Sequence, residues 1–340
     1  MRRTFALTII LLLSLAPMFA GAATLKIATL APESSSWMKD MRAGAAEVAK
    51  RTGGRVTLKF YGGGVMGNDR QVARKMRAGQ LQGAAFTLTA LAERYPDMSL
   101  YSLPLVFNSL EEVDYVRQRM DPQLVEGLGR AGLVSFGIAE GGFALVMSNV
   151  PVRALSDLEG QKMWVPEGDD VSYAAMNALG VSPVTLPITD VLTGLQTGLI
   201  DIIGSSPIAA LVLQWHTKVD YMTDQPLSYI AATLVIEERA FDRLDAADQK
   251  VVQQVMSRIY AELDRKNRVD NAKARDALVE NGMRVVEPAG GEVARWRRSV
   301  AATIRELGSR GEFTPAQYAE LQQHLEAYRA DAGGQGSAAR

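Results

Sequence analysis

Between Leu155 and Trp215 short β-rich runs alternate with helix-like runs, and the punctuation falls at Gly160, Pro166, Gly180, Pro183, Pro187, Gly198 and Pro207. Glycine and proline at these places end each element after a few residues, so the stretch reads as repeated strand, turn and helix units, an α/β architecture. Met163-Trp164-Val165 forms a short strand ending at Pro166, and Asp169 and Asp170 stand where a helix reaching to Leu179 has its N-cap and first turn. Val181–Leu186 is a second strand, Thr189 or Asp190 caps a helix through Thr197, and Leu199–Gly204 is a third strand. Ligands in parallel α/β sheets collect beyond the carboxyl ends of strands, beside helix N-termini. The loops Pro166–Asp170, Pro187–Asp190 and Gly204–Pro207 therefore share one rim, where a binding site is expected.

The remaining chain extends the same pattern. Thr24–Leu30, Val56–Tyr61 and Gln82–Leu88 read as strands, with helices over Trp37–Thr52 and from about Asn68. The run Gly62-Gly63-Gly64 lacks the spacing of either common phosphate-binding loop and reads as a tight turn. Ser99–Phe107 is irregular, a helix opens at Ser109 or Glu111, and Leu133–Glu140 and Ala144–Ser148 are two strands parted by Gly141 and Gly142. That glycine pair is a natural hinge, and Tyr221–Pro226 and Tyr229–Ile236 flank a second crossing at Pro226. Asp245–Glu280 is one long charged helical pattern able to brace both lobes. Gly282–Val286 is a short strand, and Gly291–Leu307 and Pro315–Tyr328 are helices.

Arg2 and Arg3 precede an apolar run from Phe5 to Phe19 and the small residues Ala20-Gly21-Ala22-Ala23, so residues 1–22 read as an export leader cleaved near Ala22. The 340 residues contain no cysteine, which removes both disulfides and a lipid anchor and points to a free periplasmic protein. Of 37 basic and 38 acidic residues the leader takes Arg2 and Arg3, leaving a net charge of −3 and no electrostatic reason to expect nucleic acid. His216 and His324 are far apart, and neither a metal-ligand spacing nor a hydrolase nucleophile motif is present. No metal, cofactor or catalytic residue is therefore expected.

The succession LKIATLAPESSSW, GGRVTLKFYGGGVMG, the run Leu158–Lys162 and ALGVSPVTLPITDVLTGLQTGLID resembles the solute receptors of TRAP transporters, the tripartite ATP-independent periplasmic systems. The resemblance covers residues 24 to 325. It implies a two-lobed periplasmic binding protein of the venus-flytrap type: mixed sheets with helices on both faces, lobes joined by crossing strands and a long C-terminal helix, and a ligand held in the cleft. The lobes would be 23–139 plus 229–270 and 140–228 plus 271–328, with a disordered tail over 329–340. The implied partners are a small ligand, TRAP membrane permease subunits and, in the subgroup with apolar pockets, a periplasmic tetratricopeptide-repeat protein.

Three positions depart from the family pattern. Trp164 stands where the family has an arginine that pairs bidentately with a ligand carboxylate, Phe143 where a second polar contact falls, and Ser206 where an asparagine is common. An indole forgoes charge-assisted bonding and offers an apolar wall. The expected ligand-binding set is Trp164, Phe143, Ser205, Ser206, Glu167 and Trp215 from one lobe and Trp37, Tyr61 and Thr87 from the other, around a neutral or largely apolar molecule. The rival is a carboxylate receptor using Arg153 or Lys162 as its cation. The bland reading of Trp164 is strand-end core, that of Ser34–Ser36 helix capping, and that of Glu167, Asp169 and Asp170 capping and dipole compensation. A periplasmic enzyme or a protein-only scaffold is a remote alternative.

Overall fold

The computed structural model describes residues 22–338. The leader expected over 1–22 lies, but for Ala22, outside the described residues. In chain order the elements are β1 (Ala23–Ala28), α1 (Ser36–Arg51), β2 (Val56–Tyr61), α2 (Asp69–Arg77), β3 (Gly83–Thr87), α3 (Leu110–Arg130), β4 (Leu133–Ser148), β5 (Lys162–Pro166), α4 (Asp170–Ala178), β6 (Ser182–Leu186) and α5 (Val191–Thr197). There follow β7 (Ile202–Ser205), α6 (Pro207–Val212), β8 (Tyr221–Glu237), α7 (Glu238–Phe241), α8 (Ala246–Glu280), β9 (Arg284–Val286), α9 (Glu292–Ser309) and α10 (Pro315–Ala338).

The helix starts obey local chemistry. Ser35 caps α1 by accepting from Met38 N, Asn68 caps α2 through a reciprocal pair with Gln71, and Asp169 caps α4 by accepting from Ser172 N. The nine strands among the described residues join one mixed sheet in the order β2-β1-β3-β8-β4-β7-β5-β6, with β9 pairing the Tyr221–Thr223 end of β8. β1 pairs in parallel with β2 and β3, and β5 in parallel with β6 and β7, so each outer half is a parallel α/β unit. The two halves meet at the antiparallel pair β4–β8, the two longest strands: β3 takes the Ala232–Ile236 end of β8, and β7 the Leu145–Ser148 end of β4.

The structure corrects the expectation of strands broken at the crossings. Leu133–Ser148 and Tyr221–Glu237 are each one continuous strand, with register shifts where breaks were expected. Gly141 is the extra residue between Glu140↔Ala231 and Gly142↔Ile230. A Cβ on Gly141 would lie 2.8 Å from Ile230 Cγ2, and Gly142 adopts φ +88° with Asn271 of α8 leaning on it, so both places need glycine. Pro226 lies in the stretch of β8 between Thr223 and Ser228 that has no partner on β4, where its missing N–H costs nothing.

The long helix α8 serves both halves. Val252, Val255, Met256, Ile259, Tyr260 and Leu263 join the core of β1, β2 and α1, whereas Leu278 joins the core of Leu145, Trp164, Ile203 and Trp215. At the C-terminus α10 lies on α3, with Arg329 clamping Glu112 at 2.8 and 2.9 Å and Gln123 donating to Glu320 at 2.7 Å. The tail expected to be disordered over 329–340 is helical through Ala338 within α10, and residues 339–340 lie outside the described set. Among the described residues no helix is long and apolar enough to cross a membrane.

Candidate functional site

A cavity of about 230 Å³ opens where the two halves of the sheet face each other. One wall comes from the first lobe: Leu30 after β1, Asn68 and Asp69 at the start of α2, Thr87 and Thr89 after β3, and Ser102. The opposite wall is built from the ends of β5 and β7 and the loops behind them, notably Trp164, Glu167, Ile188, Ser205 and Ser206, with Trp215. Ala144, Leu227 and Ile230 of the crossing strands form the floor. The three loops expected to share a rim all contribute, because β5, β6 and β7 run parallel and end on the same side.

Of the nine residues expected at the site, six line this cavity: Trp164, Glu167, Ser205, Ser206, Trp215 and Thr87. Trp37, Tyr61 and Phe143 do not. Trp37 meets Phe60 in an edge-to-face pair at 6.5 Å and packs on the core beneath α1. Tyr61 carries Lys59 over its ring at 5.3 Å, away from the cavity lining. Phe143 meets Tyr229 edge-to-face at 5.8 Å on the crossing strands and fills core between the lobes. Arg153 and Lys162 do not line the cavity either: Lys162 donates to Gly198 O and sits 3.7 Å from Asp201.

Trp164 is held firmly. Its indole N–H donates to Leu186 O at 2.9 Å, and its ring meets Trp215 edge-to-face at 5.2 Å. Trp164 is 6% exposed, packs into the core of β5, β7 and Trp215, and also lines the cavity.

The electrostatics of the cavity are one-sided. Asp69, Glu167 and Asp169 line it, and no Lys, Arg or His does so among the described residues. Asp169 is satisfied as the α4 cap, accepting from Ser172 N at 2.9 Å and Ser172 Oγ at 2.7 Å, yet burial still pushes its pKa above the ordinary value. Glu167 accepts from Asn68 Nδ2 at 2.6 Å across the cleft. Asp69 has no hydrogen bond or ion pair among the described residues; burial first, and the charge of Glu167 second, raise its pKa to about 6. Sequence reasoning missed Asn68 and Asp69 as cavity residues. The capping pattern Asn68…Gln71 was readable, but capping says nothing about what stands opposite. No group of three or more potential metal ligands occurs among the described residues.

A model of the DctP family, bacterial extracellular solute-binding protein family 7, matches residues 27–310. The uncharacterized protein YiiZ of Salmonella typhimurium is 24% identical over 212 residues, covering 61% of this chain and 64% of that one, so the match spans just under two thirds of that relative. The C4-dicarboxylate-binding periplasmic protein DctP of Rhodobacter capsulatus is 23% identical over 264 residues, covering 77% of this chain and 79% of that one. Among solved structures, the sugar acid binding protein DctPAm of Advenella mimigardefordensis, in complex with galactonate, superposes with a TM-score of 0.83 over 90% of this chain and 99% of that one at 20% identity. That likeness establishes the two-lobed fold. Receptors of this family are periplasmic, bind small molecules and work with TRAP membrane permease subunits; they are not enzymes. The chain belongs to family 7 of the bacterial extracellular solute-binding proteins, the DctP family of TRAP solute receptors.

Proposed function

We propose that this receptor binds a small, largely apolar molecule without a carboxylate in the inter-lobe cavity and delivers it to a TRAP-type permease. The observation that carries this reading is the lining: a buried indole at Trp164, three carboxylates, and no cation among the described lining residues. The name of the Rhodobacter relative states C4-dicarboxylate binding, and the Advenella structure holds galactonate. An organic acid in this cavity would meet negative charge instead of the bidentate guanidinium that suits a carboxylate. Lys162, already held by Gly198 O and Asp201, offers little to the rival reading.

In this reading the leader over residues 1–22 is cleaved near Ala22, and a tetratricopeptide-repeat partner accompanies the permease. The first lobe comprises residues 23–139, 229–270 and 315–329. The second comprises 140–228 and 271–314. Closure flexes β4 at Gly141–Gly142 and β8 at Pro226, the two places where the ladder between them is irregular. Ligand contacts to both walls favour the closed form, which is what the permease recognises.

A thermal-shift panel tests the ligand class, since a ligand that binds only the folded protein raises its midpoint. Neutral C6–C10 alcohols and ketones are expected to raise it, and succinate and galactonate to leave it unchanged. A clear rise with succinate or galactonate would overturn the reading.

A further inference from the structure

We infer that the cargo's apolar body carries a protonated nitrogen, as in an alkyl- or arylalkylammonium ion, and that Asp69 and Glu167, on opposite walls of the cavity, receive it. The inference rests on the reading of this cavity as the ligand site and narrows it to an organic cation.

The argument begins with acceptors that lack partners. Asp169 spends both oxygens on Ser172 and is complete as a helix cap. Asp69 lines the cavity, is half-buried, and takes no hydrogen bond or ion pair from any described residue. Glu167 uses Oε2 for Asn68, and its Oε1 has no partner among the described residues. A carboxylate that faces a largely apolar cavity without a partner has a cation or a set of N–H donors as its ordinary companion. The nearby guanidinium, Arg70, is exposed, with its Nε 3.4 Å from where a Cβ on Gly168 would stand, does not line the cavity, and forms no ion pair among the described residues. Asn68, Arg70, Glu167 and Asp169 are among the polar groups that the start of α2 and the β5–α4 loop bring to this side of the cavity.

The position of these groups links charge to closure. Asp69 belongs to the first lobe and Glu167 to the second, so shutting the cleft brings two negative charges together, and the charge of Glu167 raises the cost of ionising Asp69. An ammonium between them turns that repulsion into two attractions made only in the closed form, which is how a ligand shifts such an equilibrium. The other walls fit the body of such an ion. The N–H of Trp164 is occupied by Leu186 O, leaving carbon surface beside Met163 and Ile188. Indole faces attract organic cations. A bare metal ion fits poorly, since hard cations need six or more oxygen ligands and no metal-binding group of three occurs among the described residues.

The test uses three probes that share a skeleton: 2-phenylethylamine, 2-phenylethanol and phenylacetate, titrated at pH 7.5 into the mature protein by calorimetry and thermal shift. The amine is expected to bind at least tenfold tighter than the alcohol, and phenylacetate not to bind. Asp69→Asn and Glu167→Gln, each checked for a wild-type circular dichroism spectrum, are expected to lower the amine-to-alcohol affinity ratio by about tenfold or more. An amine that produces neither heat nor shift, or binds no better than the alcohol, overturns the inference while an alcohol that binds leaves the apolar reading standing. Phenylacetate binding in preference to both overturns the inference and the reading beneath it. A ratio that survives both substitutions removes Asp69 and Glu167 as the receiving groups.

Discussion

Asn68 donates from Nδ2 to Glu167 Oε2 at 2.6 Å, from one lobe to the other, while its Oδ1 accepts from Gln71 N at 2.9 Å as the cap of α2. One side chain thereby holds a helix end and a lobe contact together. Asn68→Ala should lower stability by about 1 kcal/mol through loss of the cap. Asn68→Asp keeps the cap acceptor but sets a third carboxylate against Asp69 and Glu167. It should therefore show a larger radius of gyration in small-angle scattering than the alanine variant, and equal radii would mean that the contact does not hold the lobes.

The raised pKa of Asp69 makes a signed prediction about pH. A carboxyl at about 6 in the folded chain and near 3.8 when unfolded binds more protons folded than unfolded between those values. Its protonation adds stability that is complete below about 3.8 and lost as pH rises through about 6. Asp69→Asn should thus melt close to the wild type at pH 4 and above it at pH 7.5. A gap that is flat with pH, or widest at pH 4, would show that Asp69 is not held in the buried, like-charged setting described.

Trp164 should reveal how much of its role is structural. Trp164→Phe keeps most of the packing and loses the bond to Leu186 O, at a cost of about 1 kcal/mol. Trp164→Ala leaves a hole beside Trp215 and should cost about 3–5 kcal/mol. Urea unfolding measures both, and costs of equal size would mean that the site collapses around the missing ring.

Where the long strands cross between lobes, Glu140 is 1% exposed and accepts from Arg268 of α8 at 2.6 Å, while Arg268 also holds Asp114 of α3 at 2.7 and 2.8 Å. Removing the buried partner leaves Arg268 half-paired, so Glu140→Ala should cost about 2–3 kcal/mol. Asp220→Ala, which breaks the open pair with Arg284 at 3.8 Å, should cost under about 0.5 kcal/mol. Chemical unfolding of the two variants side by side reads the difference.

Much of this was legible locally. The capping residues Ser35, Asn68, Ser109 and Asp169 each satisfy N–H groups within their own helix turn, so composition over four residues suffices to find the start. Trp37 shows where that stops. Ser35 marks where α1 begins, but the rotation that sends Trp37 toward Phe60 is decided by the core under the helix. Gly141 and Gly142 read locally as a break, yet β8 lies alongside, and the strand continues through a bulge.

The order of strands and helices, the helix starts and the lack of cysteine follow from the sequence by itself, because each is read from residue types along the chain. Only the tertiary structure decided that Asp69 faces Glu167, that Asn68 spans the cleft, and that α10 returns to α3. Asn68 and Glu167 are 99 positions apart, and a contact at that separation is set by the stacking of strands in a shared sheet. No local pattern of residue types encodes that stacking.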